Sequence, residues 1–477
     1  MAPDLLDSLS EGEEGEFIVF LGEQADVYRE TSMVDKRTNG QYVFRQLRAT
    51  ARRTQAPLLE LIRETGAEHR AYWIANMIWV QGGRDHVQML ASRPEVRAVY
   101  ANQYRDIDLP DVVAESSLLD PQGVEWNIAH IGAPDVWALG VTGHGVVIGG
   151  QDTGYAWEHP ALIGKYRGWD GQTANHDYNW HDAVHSAGGA CGADSAEPCD
   201  DHGHGTHTMG TMLGDDGAGN QIGVAPGATW IGCRNMDRGV GSLATYSECF
   251  EWFVAPADGN GENPDPDMAP HVVNNSWACP PQEGCGEGEI VVMQTVVENV
   301  RAAGIVVVSS AGNSGFLGCS TVQYPPAIYD ATLTVGATAN MSDAIASFSS
   351  RGPVIVDGSN RLKPDVVAPG AGIRSATLGD GYTLSQGTSM ASPHVAGLVA
   401  LLISADPSLA GDVDTIETVI TRSAVPLTTT QNCGAISGET IPNNTFGHGR
   451  VDALSAYKQL ESSLPFRRYF PFFVLQG

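Results

Sequence analysis

The sequence predicts an α/β protein built in three layers around a mostly parallel central sheet, preceded by a small α+β unit. Three observations carry this. Short apolar runs recur through the second part of the chain, at Val146–Ile148, Thr229–Ile231, Val272–Val273, Ile305–Val308 and Leu333–Val335, with helical stretches such as Ile290–Ala302 between them. Unbroken apolar strands of this kind suit parallel strands covered on both faces. The first part instead carries strand and helix signals in the order β-α-β-β-α-β. Charge also changes along the chain: residues 1–105 hold 13 Lys and Arg against 15 Asp and Glu, whereas the remainder holds 14 against 41.

Taken in order, residues 1–16 form an acidic, polar tail. Residues 17–108 make the small unit, of ferredoxin-like element order. Phe17–Leu21 is a strand, Tyr42–Thr65 has helical spacing interrupted at Pro57, and Tyr72–Val80 is a strand or hairpin ending at Gly82-Gly83. Asp85–Ala91 is a short helix and Val96–Tyr100 the last strand. Residues 109–125 are polar, with Pro110, Pro121 and Gly123, and form a linker. Residues 126–460 are the α/β body. Residues 461–477 are an aromatic tail, with Phe466, Tyr469, Phe470, Phe472 and Phe473, too short to span a bilayer and expected to pack on the body.

The chain has 477 residues, enough for two domains and a large core, and a formal charge of -29. So acidic a body argues against nucleic acid or an anionic membrane as partner. Eight cysteines, several in close pairs, point to disulfides and an oxidising compartment. The expected pairs are Cys191–Cys199 and Cys279–Cys285, then Cys233–Cys249 and Cys319–Cys433. Zinc is the competing use of these cysteines, but the C-x2-C spacing of common zinc sites does not occur. The first residues lack the apolar run of a signal peptide. Either the protein is intracellular or its chain has been trimmed, and the cysteines favour a secreted, trimmed protein.

Four polar residues fall at strand or helix ends. Asp152 follows the first body strand in Gly149-Gly150-Gln151-Asp152-Thr153-Gly154, a place where an aspartate also serves as a turn residue. The run Asp201-His202-Gly203-His204-Gly205-Thr206-His207 spaces three histidines as H-x-H-x-x-H, with Asp200 beside them, an arrangement able to collect zinc. Asn313 closes Ala311-Gly312-Asn313 after a buried strand. Ser389 lies in Gly387–Gly397, ahead of Leu398, Val399, Leu401, Leu402 and Ile403. That stretch is apolar all round, as in a buried helix. Ser389 then falls in the first turn, where unpaired N–H groups and the positive end of the helix dipole collect. Pro393 has no N–H for the carbonyl of Ser389. A serine so placed merely caps a core helix unless a base, an acid and an oxyanion donor come to it.

These segments resemble those of the subtilisin-like serine proteases: D-T-G around Asp152, H-G-T-H-x-x-G over His204–Gly210, A-G-N ending at Asn313, and the serine segment Gly387–Gly397. Phe348–Pro353 and Lys363–Gly370 are similar to family segments too. The likeness covers about residues 126–460 and, more weakly, 17–108. It implies a subtilisin-like fold and a secreted serine endopeptidase. Ser389 would be the nucleophile, His204 the general base, Asp152 the orienting acid and Asn313 an oxyanion-hole donor beside the Ser389 N–H. The order Asp…His…Ser is one in which this triad occurs. Residues 17–108 resemble an inhibitory propeptide, which the enzyme would release by cutting itself between about Arg105 and Val124. The partners implied are protein or peptide substrates and this N-terminal unit, on a monomer with neither nucleic acid nor membrane bound.

The resemblance also implies a substrate cleft. Ser276, Trp277 and Ala278 stand where the family has S-L-G, on a strand that pairs with extended substrate. Trp277 is either an apolar wall there or core packing. Gln323 stands at the glycine of T-V-G-Y-P, giving a longer polar pocket floor that disfavours large aromatic residues. No cofactor is expected for the chemistry and no metal ligand is assigned. Structural calcium finds weak support, because Ala161 follows His159-Pro160 where calcium-binding relatives have aspartate, and the loop Gly214–Val224 is short. Asp215 and Asp216 remain as cation ligands. Two rivals stand: a metallohydrolase on His202, His204 and His207, and a non-catalytic binding protein on a protease scaffold.

Overall fold

The computed structural model describes residues 13–27, 35–106, 123–186, 189–278 and 286–463. The N-terminal unit runs β1 (Gly15–Leu21), α1 (Lys36–Thr65), β2 (Glu68–Tyr72), β3 (Met77–Gly82), α2 (Arg84–Ala91) and β4 (Val96–Ala101). Its antiparallel sheet has the order β2-β3-β1-β4. Helix α1 begins at Asp35, whose side chain accepts from the Thr38 N–H, and ends at Gly66 with φ 77°. Pro57 lies inside it and does not interrupt it, contrary to the expectation from sequence. Leu47, Leu58 and Ile62 are buried on this helix, and that packing outweighs one missing amide.

Strand β1 shows why its apolar run is continuous rather than alternating. Phe17, Val19 and Leu21 pack with Leu58, Ile62, Val87 and Leu90 inside the unit. Ile18 and Phe20 face the other way and join a core shared with the body. A sheet apolar on both faces needs cover on both, and the body supplies the second cover.

The body opens with two short helices, α3 (Trp126–His130) and α4 (Ala133–Trp137), and its central sheet has seven strands: β7 (Val147–Asp152), β8 (Trp180–Asp182), β10 (Thr229–Arg234), β13 (Val272–Asn275), β14 (Val306–Ser310), β15 (Leu333–Thr338) and β16 (Val366–Pro369). Their order is β16-β15-β14-β13-β7-β10-β8, every pair parallel. Successive residues enter opposite cores. Val272, Val306 and Val308 meet α5 (His204–Leu213) and α8 (Thr388–Ala405) on one face. Val273 and Val307 meet α6 (Leu243–Val254) and α7 (Glu287–Ala302) on the other. The layers are therefore helix, sheet, helix. By length and composition α8 alone among the described helices is apolar enough to cross a membrane, yet 89% of it is buried, as befits the central core helix.

Short strands attach segments to this frame. β6 (Gly123–Val124) pairs with β9 (Asn220–Gln221), so the end of the predicted linker belongs to the body. β11 (Met236–Asp237) and β12 (Val240–Gly241) form a ribbon, and β17 (Ile373–Ala376) pairs with β18 (Tyr382–Ser385). Two-residue β5 (Arg105–Asp106), which follows the N-terminal unit, pairs antiparallel with β12. Disulfides join Cys191–Cys199, Cys233–Cys249 and Cys319–Cys433. The expected Cys279–Cys285 pair, the tail 464–477 and most of the linker lie outside the described residues.

Candidate active site

Asp152 is the last residue of β7 and His204 the first of α5. The Asp152 Oδ1 accepts from His204 Nδ1 at 2.7 Å and from the Thr153 N–H at 2.8 Å. Their side chains are only 1% and 2% exposed, so water does not compete for that bond. An imidazole held through Nδ1 presents Nε2 to a reactant. Among the described residues, His204 Nε2 has no hydrogen-bond partner although it is buried.

A residue read from sequence only as a possible metal neighbour organises this pair. The Asp200 Oδ1 accepts from Thr153 Oγ1 (2.9 Å), the His202 N–H (3.0 Å) and the Gly203 N–H (2.8 Å). Its Oδ2 accepts from the Thr206 N–H (3.0 Å) and Oγ1 (2.6 Å). One carboxylate thus joins the residue after Asp152 to the turn and helix start that carry His204. A negative charge at that helix start also suits the dipole. The same junction is tight on its backbone: a side chain at Gly205 would meet the Gly154 carbonyl at 2.1 Å.

Ser389 opens α8 behind Gly387. Its Oγ donates to the Ser276 carbonyl at 2.9 Å. Pro393 leaves the Ser389 carbonyl without a helical donor, and the Ser276 hydroxyl fills the gap at 2.9 Å. Asn274 Nδ2 donates in turn to the Ser276 Oγ at 2.8 Å. Asn313 follows β14, and its carboxamide oxygen accepts from the Thr388 N–H and Oγ1, both at 2.9 Å. With the oxygen so engaged, the amide's NH₂ is the end left to meet a negative oxygen, one residue away from the Ser389 N–H.

The three histidines do not converge. His204 is committed to Asp152, and His207 Nε2 faces the carbonyls of Ile373 (3.1 Å) and Thr383 (3.3 Å). Burial, with His204 nearby, pushes His207 down to about 3, so it is a neutral donor at ordinary pH. The rings of His202 and His204 lie 6.3 Å apart, edge to face. Among the described residues no group of His, Cys, Asp and Glu is arranged to hold a metal. The metallohydrolase reading is not favoured, because the donors that sequence places together are aimed at different partners.

Two of the expected cleft residues have contacts that bear on their roles. Trp277 is 2% exposed and stacked on Tyr246 of α6, ring centres 4.0 Å apart, so it belongs to the core and offers no open wall. Gln323 does not present a free polar floor. Its Nε2 donates to the Ser320 carbonyl at 2.8 Å and its Oε1 accepts from the Val356 N–H at 2.9 Å, which braces the loop against the turn 354–361. Ser276 and Ala278 directly follow β13, with Ser276 buried under the serine helix and Ala278 half-buried.

The N-terminal unit is held on the body by carboxylates of α6 whose role the sequence did not reveal. The Glu251 Oε2 accepts from the N–H groups of Trp73 (2.5 Å) and Ile74 (2.8 Å). Burial pushes the Glu251 carboxyl up to about 8. The Glu248 carboxylate accepts from the Tyr72 hydroxyl (2.8 Å) and meets His181 (2.9 Å) and His185 (3.0 Å). Glu248 and Asp194 together raise His185 to about 9 against the opposing effect of burial. Arg234, fully buried at the end of β10, meets Asp182 (3.1 Å), Asp201 (2.7 Å) and Asp237 (3.0 Å), tying the loop before His204 to the ribbon that β5 joins.

Residues 143–449 match the subtilase family. The chain is 37% identical over 440 residues to Bacillopeptidase F of Bacillus subtilis, an alignment covering 88% of this chain and 29% of that protein. It is 32% identical over 295 residues to Serine protease AprX of the same species, covering 57% of this chain and 60% of the relative. It therefore spans under a third of the first relative's length and less than two thirds of the second's. Its fold is similar to that of the epidermin leader peptide processing serine protease of Staphylococcus aureus, with TM-score 0.64, 18% identity, and coverage of 94% of this chain and 98% of the other.

Proposed function

The chain belongs to the subtilase family of serine peptidases, and from that premise we propose that it hydrolyses peptide bonds through an acyl-enzyme on Ser389. The observation that carries the assignment is the buried Asp152–His204 bond of 2.7 Å with Nε2 left for a reactant. In this reading the Ser389 hydroxyl leaves the Ser276 carbonyl, gives its proton to His204 Nε2 and attacks the substrate carbonyl. Asp152 keeps His204 in the required tautomer and stabilises the imidazolium. The NH₂ of Asn313 and the N–H of Ser389 receive the oxyanion. His204 then returns the proton to the leaving amine, and water repeats the sequence on the ester.

We propose further that the enzyme is secreted and made as a self-processing zymogen, with residues 17–108 as its inhibitor. The pairing of β5 with β12 supports this, because an extended segment of the chain lies along a strand edge of the body, as a β-adding substrate would. The contacts of Trp73 and Ile74 with Glu251 hold the unit in place. The disulfides favour an oxidising compartment.

The test follows the mass of the purified chain during incubation, beside Ser389→Ala. The wild type is expected to cut itself between about Arg105 and Val124 while the variant stays whole. A wild type that never cuts itself or any peptide, behaving identically to the variant, contradicts the proposal.

A further inference from the structure

The family resemblance raises calcium at the loop Gly214–Val224, and the residues present do not fit it. Ala161, where an acidic ligand is expected, offers only its carbonyl, and that accepts the Asp215 N–H at 3.1 Å. The Asp216 carboxylate is already saturated. Its Oδ1 accepts from the N–H groups of Ala218 (2.8 Å) and Asn220 (3.1 Å), and its Oδ2 from Asn220 Nδ2 (2.6 Å) and the Tyr382 hydroxyl (2.9 Å). Asp215 Oδ1 accepts from the Gly217 N–H at 2.9 Å. Calcium takes six to eight oxygens, and the carboxylates of this loop are already engaged by the loop's own donors and by Tyr382.

A protein cation stands at this place instead. Arg374, on β17, is 3% exposed. Its guanidinium donates through NH1 to Glu125 Oε1 at 2.9 Å and through NH2 to Asn220 Oδ1 at 2.8 Å. Its flat face covers the Tyr382 ring at 4.3 Å. Glu125 is the residue after β6, and its N–H donates to the Gln221 carbonyl at 3.1 Å. Asn220 is in β9 and Tyr382 opens β18. One side chain therefore meets three separate segments. Burial pushes the Glu125 carboxyl up, and the guanidinium opposes that shift. A lone buried carboxylate would be costly, and so would a lone guanidinium; each is present because the other is.

We propose that Arg374 is the cross-linking cation of this site, a built-in replacement for a bound metal ion, and that it fastens the segment 123–125 to the loop 214–224. A planar fork suits the task, since two acceptors on different segments are reached by two N–H groups of fixed geometry. The anchorage of residues 123–125 is then independent of calcium, and it survives a cut in the linker upstream.

The experiment uses the full chain carrying Ser389→Ala, so that no self-cleavage intervenes, and reads amide hydrogen exchange in peptides covering 123–126 and 214–224. Without Arg374→Gln, both segments are expected to exchange equally slowly in chelator and in millimolar calcium. With Arg374→Gln, both are expected to exchange at least tenfold faster in either condition. Glu125→Gln is the second variant, read on the same peptides should Arg374→Gln fail to fold. Faster exchange of these two segments in chelator, reversed by calcium, overturns the proposal. So does unchanged protection in a folded Arg374→Gln protein.

Discussion

Replacing Asp200 by alanine is the sharpest perturbation of how the site is held. The substitution removes the acceptor of five hydrogen bonds. Two come from hydroxyls, which turn to other acceptors. Three come from the N–H groups of His202, Gly203 and Thr206, which cannot turn. A buried donor left unsatisfied costs about 1–3 kcal/mol, and water reaches part of this half-buried site, so the total loss of stability is expected at about 2–4 kcal/mol. Loss of the charge at the start of α5 adds about 0.3–1 kcal/mol. The larger consequence is placement. His204 begins the helix that Asp200 anchors, and a shift of about 1 Å in a reacting group costs about 10² in rate. We expect kcat on a chromogenic peptide to fall about 10–100-fold with KM changed little. Asp200→Asn should fall between, keeping one acceptor oxygen but losing the charge. If Asp200→Ala lowers Tm yet keeps kcat within about twofold, the carboxylate is a cap and nothing more, and the reasoning fails.

Three further outcomes follow from the same geometry. Asn313→Ala should lower kcat about 10²–10³-fold with little effect on KM, the size established for a subtilisin's oxyanion asparagine, and an effect confined to KM would contradict its role. Burial holds His207 at about 3, His271 at about 4 and His394 at about 4, all below the ordinary value near 6.5. The unfolded chain binds these protons first, so the contribution of these rings should be complete above about pH 6.5 and be lost as pH drops toward 4, against the opposite slope of Glu251, whose carboxyl is raised to about 8; in a Glu251→Gln protein, which removes that opposing slope, a Tm flat across the window would refute the assignment of neutral rings. Gln323→Ala should lower Tm by loosening the turn 354–361 while leaving cleavage-site preference unchanged, and a marked change in the preferred residue before the scissile bond would restore the pocket-floor reading.

Much of the scaffold was legible because it rests on local pattern. Val272-Val273 and Ile305–Val308 announce strands buried on both faces, and the alternation of Val272, Val306 and Val308 with Val273 and Val307 between two cores explains why no polar residue interrupts them. β8 and β16 escaped notice. β8 is a three-residue strand, Trp180–Asp182, with a half-exposed histidine at its centre. The polar residues gathered from strand and helix ends were legible as chemistry through their motifs, but their supports were not. Asp200 looked like a metal neighbour because its five donors are mostly backbone groups, which sequence does not display. Trp277 looked ambiguous because its burial depends on Tyr246, supplied by another helix. The loop contacts of Gln323 were hidden for a similar reason: its partners, Ser320 and Val356, are brought to it by the folding of two loops. Arg374 carried no signal at all, since its acceptors lie 249 and 154 residues away along the chain.

The central claim is that Ser389 is the nucleophile and His204 its base. Its most direct measurement is covalent labelling with a phosphonylating reagent, followed by peptide mapping of the modified residue. One adduct per chain is expected on Ser389 once the N-terminal unit has been released, unaffected by chelator, and strongly reduced in His204→Ala. Labelling at another residue, or activity that persists in Ser389→Ala and is abolished by chelator, would contradict it.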